Sequence, residues 1–365
     1  MHIAIVLPSL RGGGAERVMM TVADGLARID HKVDLVLINA TGPYVKTVTT
    51  NVRLIDLSSQ RVIRSVFKLA GYIKEHSPDY IVANLPHVNI ASFLAKTISR
   101  SKSKLILTEH NTLSQSIANA QTLRGKHLDK LMRLVYPKSD RVVAVSNGVA
   151  QDLATTIQFP RRDIQVIYNP VVTPTLLANA DSLLCHPWFQ PSCPPTILGV
   201  GRLTYAKNFQ ALLKAFANIR KELFVRLVIL GDGPERANLI QLADNLGVKD
   251  DLFMPGFVEN PYKYMRNATV FALSSRWEGL PTVLIEALAC GTPVISTDCP
   301  HGPREILEEG RWGTLVPVND CNALANALKK SLVNPPPTIP RDSWLKFTSE
   351  YAISGYVELL DNIAN

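Results

Sequence analysis

The sequence predicts an α/β protein built as two doubly wound parallel-sheet domains that face a shared cleft, and three observations carry that prediction. The chain has 365 residues, whereas single cores stop growing at about 250–300 residues. Short β-branched runs alternate with amphipathic stretches from the first residue onward, which is the signature of repeated βα units and hence of parallel sheets. The alternation breaks once, in a proline-rich segment near the middle, and then restarts.

Within the first domain, residues 1–168, strands are expected at Ile3–Leu7, Val33–Ile38, Tyr80–Ala83, Leu105–Thr108 and Val142–Val145. Helical periodicity separates them near 15–29, 61–75, 90–99 and 122–136. Residues 169–195 carry Pro170, Pro174, Pro187, Pro191 and Pro194 with no sustained periodicity, and read as a linker. A second domain, residues 196–340, repeats the pattern with strands at Ile197–Val200, Leu227–Leu230, Val270–Leu273 and Val294–Ser296. Its helices are expected near 207–221, 234–246, 281–290 and 320–333. Within residues 341–365, a last helical pattern from Ser343 to about Ile363 is expected to return to the first domain.

Composition narrows the functional classes. Hydrophobic residues make up 46% of the chain and are spread along it, so large cores are available and wholesale disorder is excluded. The first residues carry no basic segment ahead of their short apolar run, so no signal peptide is expected. No run reaches the roughly 18 apolar residues of a spanning helix, leaving only peripheral membrane contact. The five cysteines show no metal-binding spacing and no even framework, which fits the cytoplasm. Charge is distributed unevenly: residues 1–180 hold 22 Lys and Arg against 12 Asp and Glu, and residues 181–365 hold 17 against 19. A basic half serves nucleic acid, anionic lipid, a phosphorylated substrate, or solubility alone. Nucleic acid is disfavoured, since no aromatic interleaving or known module accompanies the charge.

In open α/β sheets ligands bind beyond the carboxyl ends of the strands, and the motifs do fall in strand-to-helix turns. The first, Arg11 to Glu16, holds Gly12, Gly13 and Gly14, where a backbone lacking Cβ can approach a phosphate and a helix start offers free N–H groups. A plain tight turn would read the same way. It is not a dinucleotide fingerprint, because the third glycine and the ribose-binding acid are missing. The second, Gly199 to Asn208, sets Arg202 and Lys207 five residues apart after a strand, so that two cations can converge on a diphosphate in place of a metal. Two solvated surface charges are the alternative. Gly231-Asp232-Gly233-Pro234 is a further turn, with Pro234 suited to the first position of a helix.

The third cluster, Ser274 to Ile295, is the most specific. Pro281 suits the first position of a helix ending near Gly291, which puts Glu278 in the preceding loop and Glu286 within the helix. Glu286 is then placed to bond a ribose diol and Glu278 to reach sugar hydroxyls, with the amides around Gly279, Leu280 and Thr282 facing phosphates between them.

Together the GGAE turn, the GRL element with its lysine, GDGPE, PGFV, EGLPTVLIEALACGTPVI and GPREIL resemble, in order and spacing, the family 4 retaining glycosyltransferases of the GT-B fold, two Rossmann-like domains. The resemblance covers almost the whole chain and is nearest the bacterial members that build lipopolysaccharide cores, lipid-linked oligosaccharides and capsules. It implies that Gly13 and Gly14 approach the donor phosphate, Arg202 and Lys207 clasp the diphosphate, Glu278 holds donor-sugar hydroxyls, Glu286 holds the ribose and backbone near Val258 meets the base. Similarity also implies that His110, in LTEHNT at a strand end, is the family's active-site histidine; Glu109 beside it reads as orienting the loop rather than reacting. Asn208 departs from the family, which has glycine after the lysine.

The reaction so implied moves a sugar with retention from a nucleoside diphosphate, UDP favoured, to a saccharide or lipid-linked saccharide acceptor. No cofactor and no metal are expected, since no DxD motif or acidic cluster offers a seat. Two basic stripes, Arg61, Arg64 and Lys68 on one helix and Lys126, Lys130 and Arg133 on another, are expected to meet the acceptor or the anionic inner face of a membrane. On these helices Val62, Val66, Leu69 and Ile73, and Leu128, Leu131, Met132 and Val135, are expected to face the core. An NAD-linked oxidoreductase lacks its fingerprint here. A non-catalytic nucleotide- or carbohydrate-binding protein on the same fold is the remaining alternative.

Overall fold

Buried β-branched runs in this sequence pair into two all-parallel sheets, in a computed structural model that describes residues 1–11, 13–118, 128–190, 192–335 and 338–364. Two compact units result, one of Met1–Pro170 with Phe347–Asn365, the other of Val171–Lys346.

In the first unit β1 (His2–Leu7), β2 (Lys32–Leu37), β3 (Arg53–Asp56), β4 (Tyr80–Asn84), β5 (Lys104–Glu109), β6 (Arg141–Ala144) and β7 (Ile164–Val166) lie in the order β3-β2-β1-β4-β5-β6-β7. Its helices are α1 (Gly14–Arg28), α2 (Val62–His76), α3 (Pro86–Ser99), α4 (Leu113–Ala118), α5 (Leu128–Val135), α6 (Asn147–Ile157) and, from the end of the chain, α14 (Ser349–Ala364). Strand order reverses at the β1–β4 pair, and such a switch point leaves room beyond the strand ends for a ligand.

Sequence periodicity passes over β3 and β7, which are only 4 and 3 residues long. The core joins Ile3, Ile5 and Leu7 of β1 to Met19, Val22 and Leu26 of α1, and to Tyr356, Leu359 and Leu360 of α14. The hydroxyl of Tyr80 donates to the carbonyl of Leu360 at 2.9 Å, tying β4 to the last helix.

Two basic stripes expected from the sequence are altered. Lys68 does not project freely, because its ammonium donates to the carbonyls of Leu57 and Ser58, both at 2.9 Å. On α2 the buried face is Ser65, Val66, Leu69, Ala70, Tyr72 and Ile73, with Val62 only half-buried. On α5, Leu131 is 51% exposed while Met132 and Val135 are buried. Arg133 donates to the carbonyl of Thr156 and pairs with Asp129, so it too is engaged. Lys126 lies outside the described residues.

The second unit holds β8 (Thr196–Val200), β9 (Arg226–Leu230), β10 (Leu252–Gly256), β11 (Val270–Leu273), β12 (Val294–Thr297) and β13 (Thr314–Val316), ordered β10-β9-β8-β11-β12-β13. Here the switch point is the β8–β11 pair. Its helices are α7 (Pro174–Ala180), α8 (Phe209–Arg220), α9 (Arg236–Asn245), α10 (Tyr262–Asn267), α11 (Thr282–Ala289), α12 (Pro303–Ile306) and α13 (Cys321–Val333).

Residues 169–195 are not a bare linker. Thr173 caps α7 by accepting from the Leu176 amide, Pro174 fills its first turn, and Asn260 donates to the carbonyl of Asn179, so the helix belongs to the second unit. Pro234 does not open α9, which is capped at Glu235.

Because α14 supplies core side chains to a sheet that begins the chain, Leu360→Ala is expected to destabilise the first unit by about 2–5 kcal/mol. Chemical denaturation followed by hydrogen exchange checks it: the loss should be confined to amides of residues 1–170 and 349–364.

Candidate functional site

Two neighbouring strands at the switch point of the second unit, β8 and β11, each end in a loop that carries chemistry. After β8, Gly201 to Lys207 forms a turn closing in a short 3-10 helix, Tyr205–Lys207, with Arg202 exposed. Asn208 comes next at φ +50 and ψ +41, a left-handed conformation that glycine adopts freely and that asparagine tolerates better than other residues. The departure from glycine thus keeps the backbone path, and the buried Asn208 amide donates to Asn319 at 3.1 Å.

These two loops are stitched together. The Ser274 hydroxyl donates to the carbonyl of Lys207 at 2.9 Å, and the Arg276 amide to that of Ala206 at 2.7 Å. Arg276 also lays its guanidinium 3.9 Å from the Tyr205 ring centroid and donates to the Tyr205 carbonyl.

At the centre, the Lys207 ammonium meets Oε1 of Glu278 at 2.6 Å, and the fully buried Ser275 hydroxyl donates to the same oxygen at 2.6 Å. Two donors on one oxygen fix the carboxylate's direction, and among the described residues neither of them bonds Oε2. Sequence motifs give roles to Lys207 and Glu278 but none to Ser274, Ser275 and Arg276, which open the third cluster. The only signal for these three is adjacency to Glu278 in a strand-end loop, where short hydroxyl side chains bond nearby backbone and carboxylate groups.

Glu278 enters α11 through Gly279, Leu280 and Pro281. Pro281 is the cap rather than the first helical residue, and the helix starts at Thr282. Gly302 presses on this loop: at φ +87, a Cβ there would stand 2.4 Å from Pro281 and 2.9 Å from the Gly279 carbonyl. Glu286 lies four residues into the helix and is 2% exposed, its charge adding to the burial that lifts the Cys290 thiol to about 12. Val258 is half-buried, two residues after Gly256 at φ +92.

In the first unit the amide of Gly13 donates to Glu16 at 3.0 Å, so part of the helix start is already satisfied by the protein's own carboxylate. Among the described residues, a Cβ built at Gly14 meets nothing within 4 Å beyond its chain neighbours and the backbone of its own helix. Beyond β5, His110 is 7% exposed and its Nε2 lies 3.1 Å from Oδ1 of Asn84, at the end of β4. Burial alone draws the His110 pKa down to about 4.

Glu109 is fully enclosed, and accepts from the Asn89 amide at 2.9 Å and from the Tyr136 hydroxyl. Desolvation outweighs those two bonds and lifts its pKa to about 8. Among the described residues no group of three His, Cys, Asp or Glu is arranged to hold a metal ion.

Residues 12–173 match the family profile described as Glycosyltransferase Family 4, and residues 188–346 the profile described as Glycosyl transferases group 1. The chain is similar to the N-acetylgalactosamine-N,N'-diacetylbacillosaminyl-diphospho-undecaprenol 4-alpha-N-acetylgalactosaminyltransferase of Campylobacter jejuni, at 30% identity over 90% of each chain. It also resembles the lipopolysaccharide 1,6-galactosyltransferase of Salmonella typhimurium, at 28% identity over 72% of this chain and 67% of the other.

Among solved structures, a glycosyltransferase from Rickettsia africae superposes with a TM-score of 0.83 at 21% identity, covering 100% of this chain and 98% of the other. Anabaena HepE in complex with UDP superposes with a TM-score of 0.78 at 20% identity, over 99% and 100%. The fold is GT-B. The chain belongs to the family 4 glycosyltransferases and is a sugar-transferring enzyme of that family.

Glu109 carries a testable consequence. A carboxyl whose folded pKa is raised from 4.5 to about 8 binds more protons folded than unfolded between those values, so stability falls as pH rises through that window. Glu109→Gln, neutral at every pH, is expected to flatten the fall between pH about 5 and 8 in denaturant titrations. A slope equal to the wild type's would show that Glu109 is charged when folded.

Proposed function

We propose that the protein transfers a sugar, with retention, from UDP to a saccharide held on a lipid diphosphate, without a metal. The observation that carries this reading is the meeting of Lys207 and Glu278 across two strand-end loops, a cation and a hydroxyl-binding carboxylate within 2.6 Å. An ammonium has three donors. One is spent on Glu278, so two remain for phosphate oxygens.

Arg202, exposed on the same loop, supplies the second cation, and the start of α11 adds the partial positive charge of a helix terminus. Together they oppose the negative charge that grows on the departing diphosphate as the anomeric carbon becomes oxocarbenium-like, which stabilises the transition state above the ground state. Glu278 holds sugar hydroxyls through Oε2, Glu286 holds the ribose and backbone near Val258 the base. The family resemblance adds Gly13 and Gly14 as contacts of the donor phosphate. The sequence marks no carboxylate as an obvious covalent nucleophile, which favours attack from the face the phosphate leaves, with that phosphate taking the acceptor's proton and His110 orienting the sugar.

UDP as the leaving group is supported by the UDP-bound neighbour, and the lipid-linked acceptor by the undecaprenol-diphosphate substrate named for the Campylobacter relative. Incubation with a panel of UDP- and GDP-sugars, with and without excess EDTA, tests the donor half. Hydrolysis or transfer should consume a UDP-sugar at the same rate with the chelator. Loss of turnover on chelation, restored by Mg²⁺ or Mn²⁺, would remove the metal-free mechanism.

For the acceptor side, the surface of α2 supports membrane contact in a form different from the simple basic stripe. Ile63 is 65% and Phe67 74% exposed beside Arg61 and Arg64, and on α5 Leu131 and Leu134 are 51% and 65% exposed beside Lys130. Exposed apolar side chains flanked by cations suit the headgroup boundary of an anionic leaflet. In flotation assays the protein should follow anionic vesicles and not neutral ones, and Ile63→Ser with Phe67→Ser should weaken binding more than Lys68→Ala. Equal flotation with neutral vesicles would refute the leaflet.

A further inference from the structure

The histidine beyond β5 is held in one protonation geometry by a neighbour that no motif marks. Parallel pairing of β4 and β5 sets Asn84 opposite Thr108, two residues before His110, and brings Oδ1 of Asn84 within 3.1 Å of His110 Nε2. The direction of the amide is not free. Its NH₂ faces the carbonyls of Val82 at 3.2 Å and Val6 at 3.4 Å, both acceptors, so the atom turned to the imidazole is the oxygen.

An oxygen there requires that the ring nitrogen opposite carry a proton. Nδ1 of the neutral ring is then a bare lone pair, and it is buried without a hydrogen-bond partner among the described residues. Leaving a buried acceptor unmade costs about 1–3 kcal/mol unless a donor is brought to it.

We propose that Asn84 is a positioning residue for the transfer reaction: it fixes His110 as the Nε2–H tautomer, so that the ring meets substrate through Nδ1 by accepting a hydrogen bond from a hydroxyl. The ligand class comes from the chemistry. A sugar hydroxyl is a donor; a phosphate oxygen is only an acceptor at neutral pH and would repel the Nδ1 lone pair. The low His110 pKa keeps the ring neutral at pH 7, in agreement with this geometry.

Rigidity comes from the same turn. Asn84 is fully buried, and Leu85 just after it stands at φ +77, a conformation costing a non-glycine residue about 1–3 kcal/mol. Its amide donates to the Thr108 carbonyl at 3.3 Å, and the Asn89 amide reaches that carbonyl too, at 3.2 Å. The strand end that carries Asn84 is thereby pinned to the strand end that carries His110.

This inference rests on the reading of His110 as a substrate-contacting group, and two measurements keep their failures apart. Nitrogen-15 NMR of histidine-labelled protein, with the His110 signals assigned from His110→Ala, reports which ring nitrogen bears the proton without any assay of activity. At pH 7 the wild type should show Nε2 protonated and Nδ1 bare, and Asn84→Ala should populate the other tautomer. A protonated Nδ1 or an imidazolium in the wild type would overturn the proposal, even if Asn84→Ala does not fold.

Steady-state kinetics supplies the second readout. Asn84→Ala should lower kcat roughly 10- to 100-fold, the scale of a lost orienting partner, with UDP affinity unchanged. Equal loss of UDP affinity would also overturn it. If His110→Ala turns over like the wild type while the tautomer is as stated, it is the reading of His110 that fails.

Discussion

Parallel pairing is the constraint on which the rest of this structure depends. Antiparallel neighbours can be joined by a two-residue hairpin, but parallel ones need a crossover, so successive strands of each sheet are linked by a return over its face and all end on the same side. The loops after strands therefore gather at one edge of each sheet. At the points where strand order reverses, β1 beside β4 and β8 beside β11, adjacent strands send their loops to opposite layers. The residues with chemistry lie on these strands or one strand away: the glycine turn after β1, Asn84 at the end of β4, His110 after β5, Arg202 and Lys207 after β8, and Glu278 after β11.

Strain and incomplete satisfaction concentrate in those loops and are offset in the layers beneath. Leu85 and Asn208 hold left-handed backbone, and Gly302 lies against Pro281 where a methyl group would not fit. Buried strands with fully engaged backbones supply the stability that such departures consume. The polar residues that border them are caged rather than merely close: Ser275 and Lys207 share one oxygen of Glu278, and Asn89 and Tyr136 share one oxygen of Glu109. In each cage one carboxylate oxygen is held by two donors. Environment separates them, since both donors to Glu109 are neutral and burial drives it toward its own neutral form, whereas Glu278 has an ammonium at 2.6 Å.

Much of this is legible in the sequence because the parallel strands are buried on both faces and read as continuous β-branched runs. The strands β3, β7, β10 and β13 are not, being 3 to 5 residues long and carried by neighbours rather than by pattern. The segment containing α7 reads as linker because proline at the first helical position looks like a break when its cap, Thr173, goes unread. Side-chain direction is the hardest thing to read. Helical spacing puts Lys68 in line with Arg64, yet two carbonyls of the preceding loop capture its ammonium. Likewise Leu131 follows the apolar period of its helix and still points outward, because α5 packs through Met132 and Val135. Asn84 is invisible for a different reason: an asparagine at a strand end has no motif, and its role appears only when the adjacent strand is laid beside it.

The Lys207–Glu278 pair decides how charge is balanced on the proposed donor. The two groups stand 2.6 Å apart as an ion pair, and the carboxylate would otherwise repel the diphosphate it is proposed to sit beside. Pairing cancels that repulsion at short range, where an effective dielectric near 20 still gives about 4 kcal/mol between unit charges 4 Å apart. In the proposed complex one of the three Lys207 donors goes to Glu278, so Arg202 and the start of α11 would share the attraction for phosphate oxygens with the other two, and Lys207 would link the two ends of the donor. A single ammonium would then touch both the leaving group and the residue that holds the sugar. In that arrangement a shift of charge toward the diphosphate would draw the ammonium with it and loosen its hold on Glu278. The carboxylate would then be less neutralised as the sugar it is proposed to hold becomes more positive, so one ion pair would favour both halves of the separating charge in the transition state.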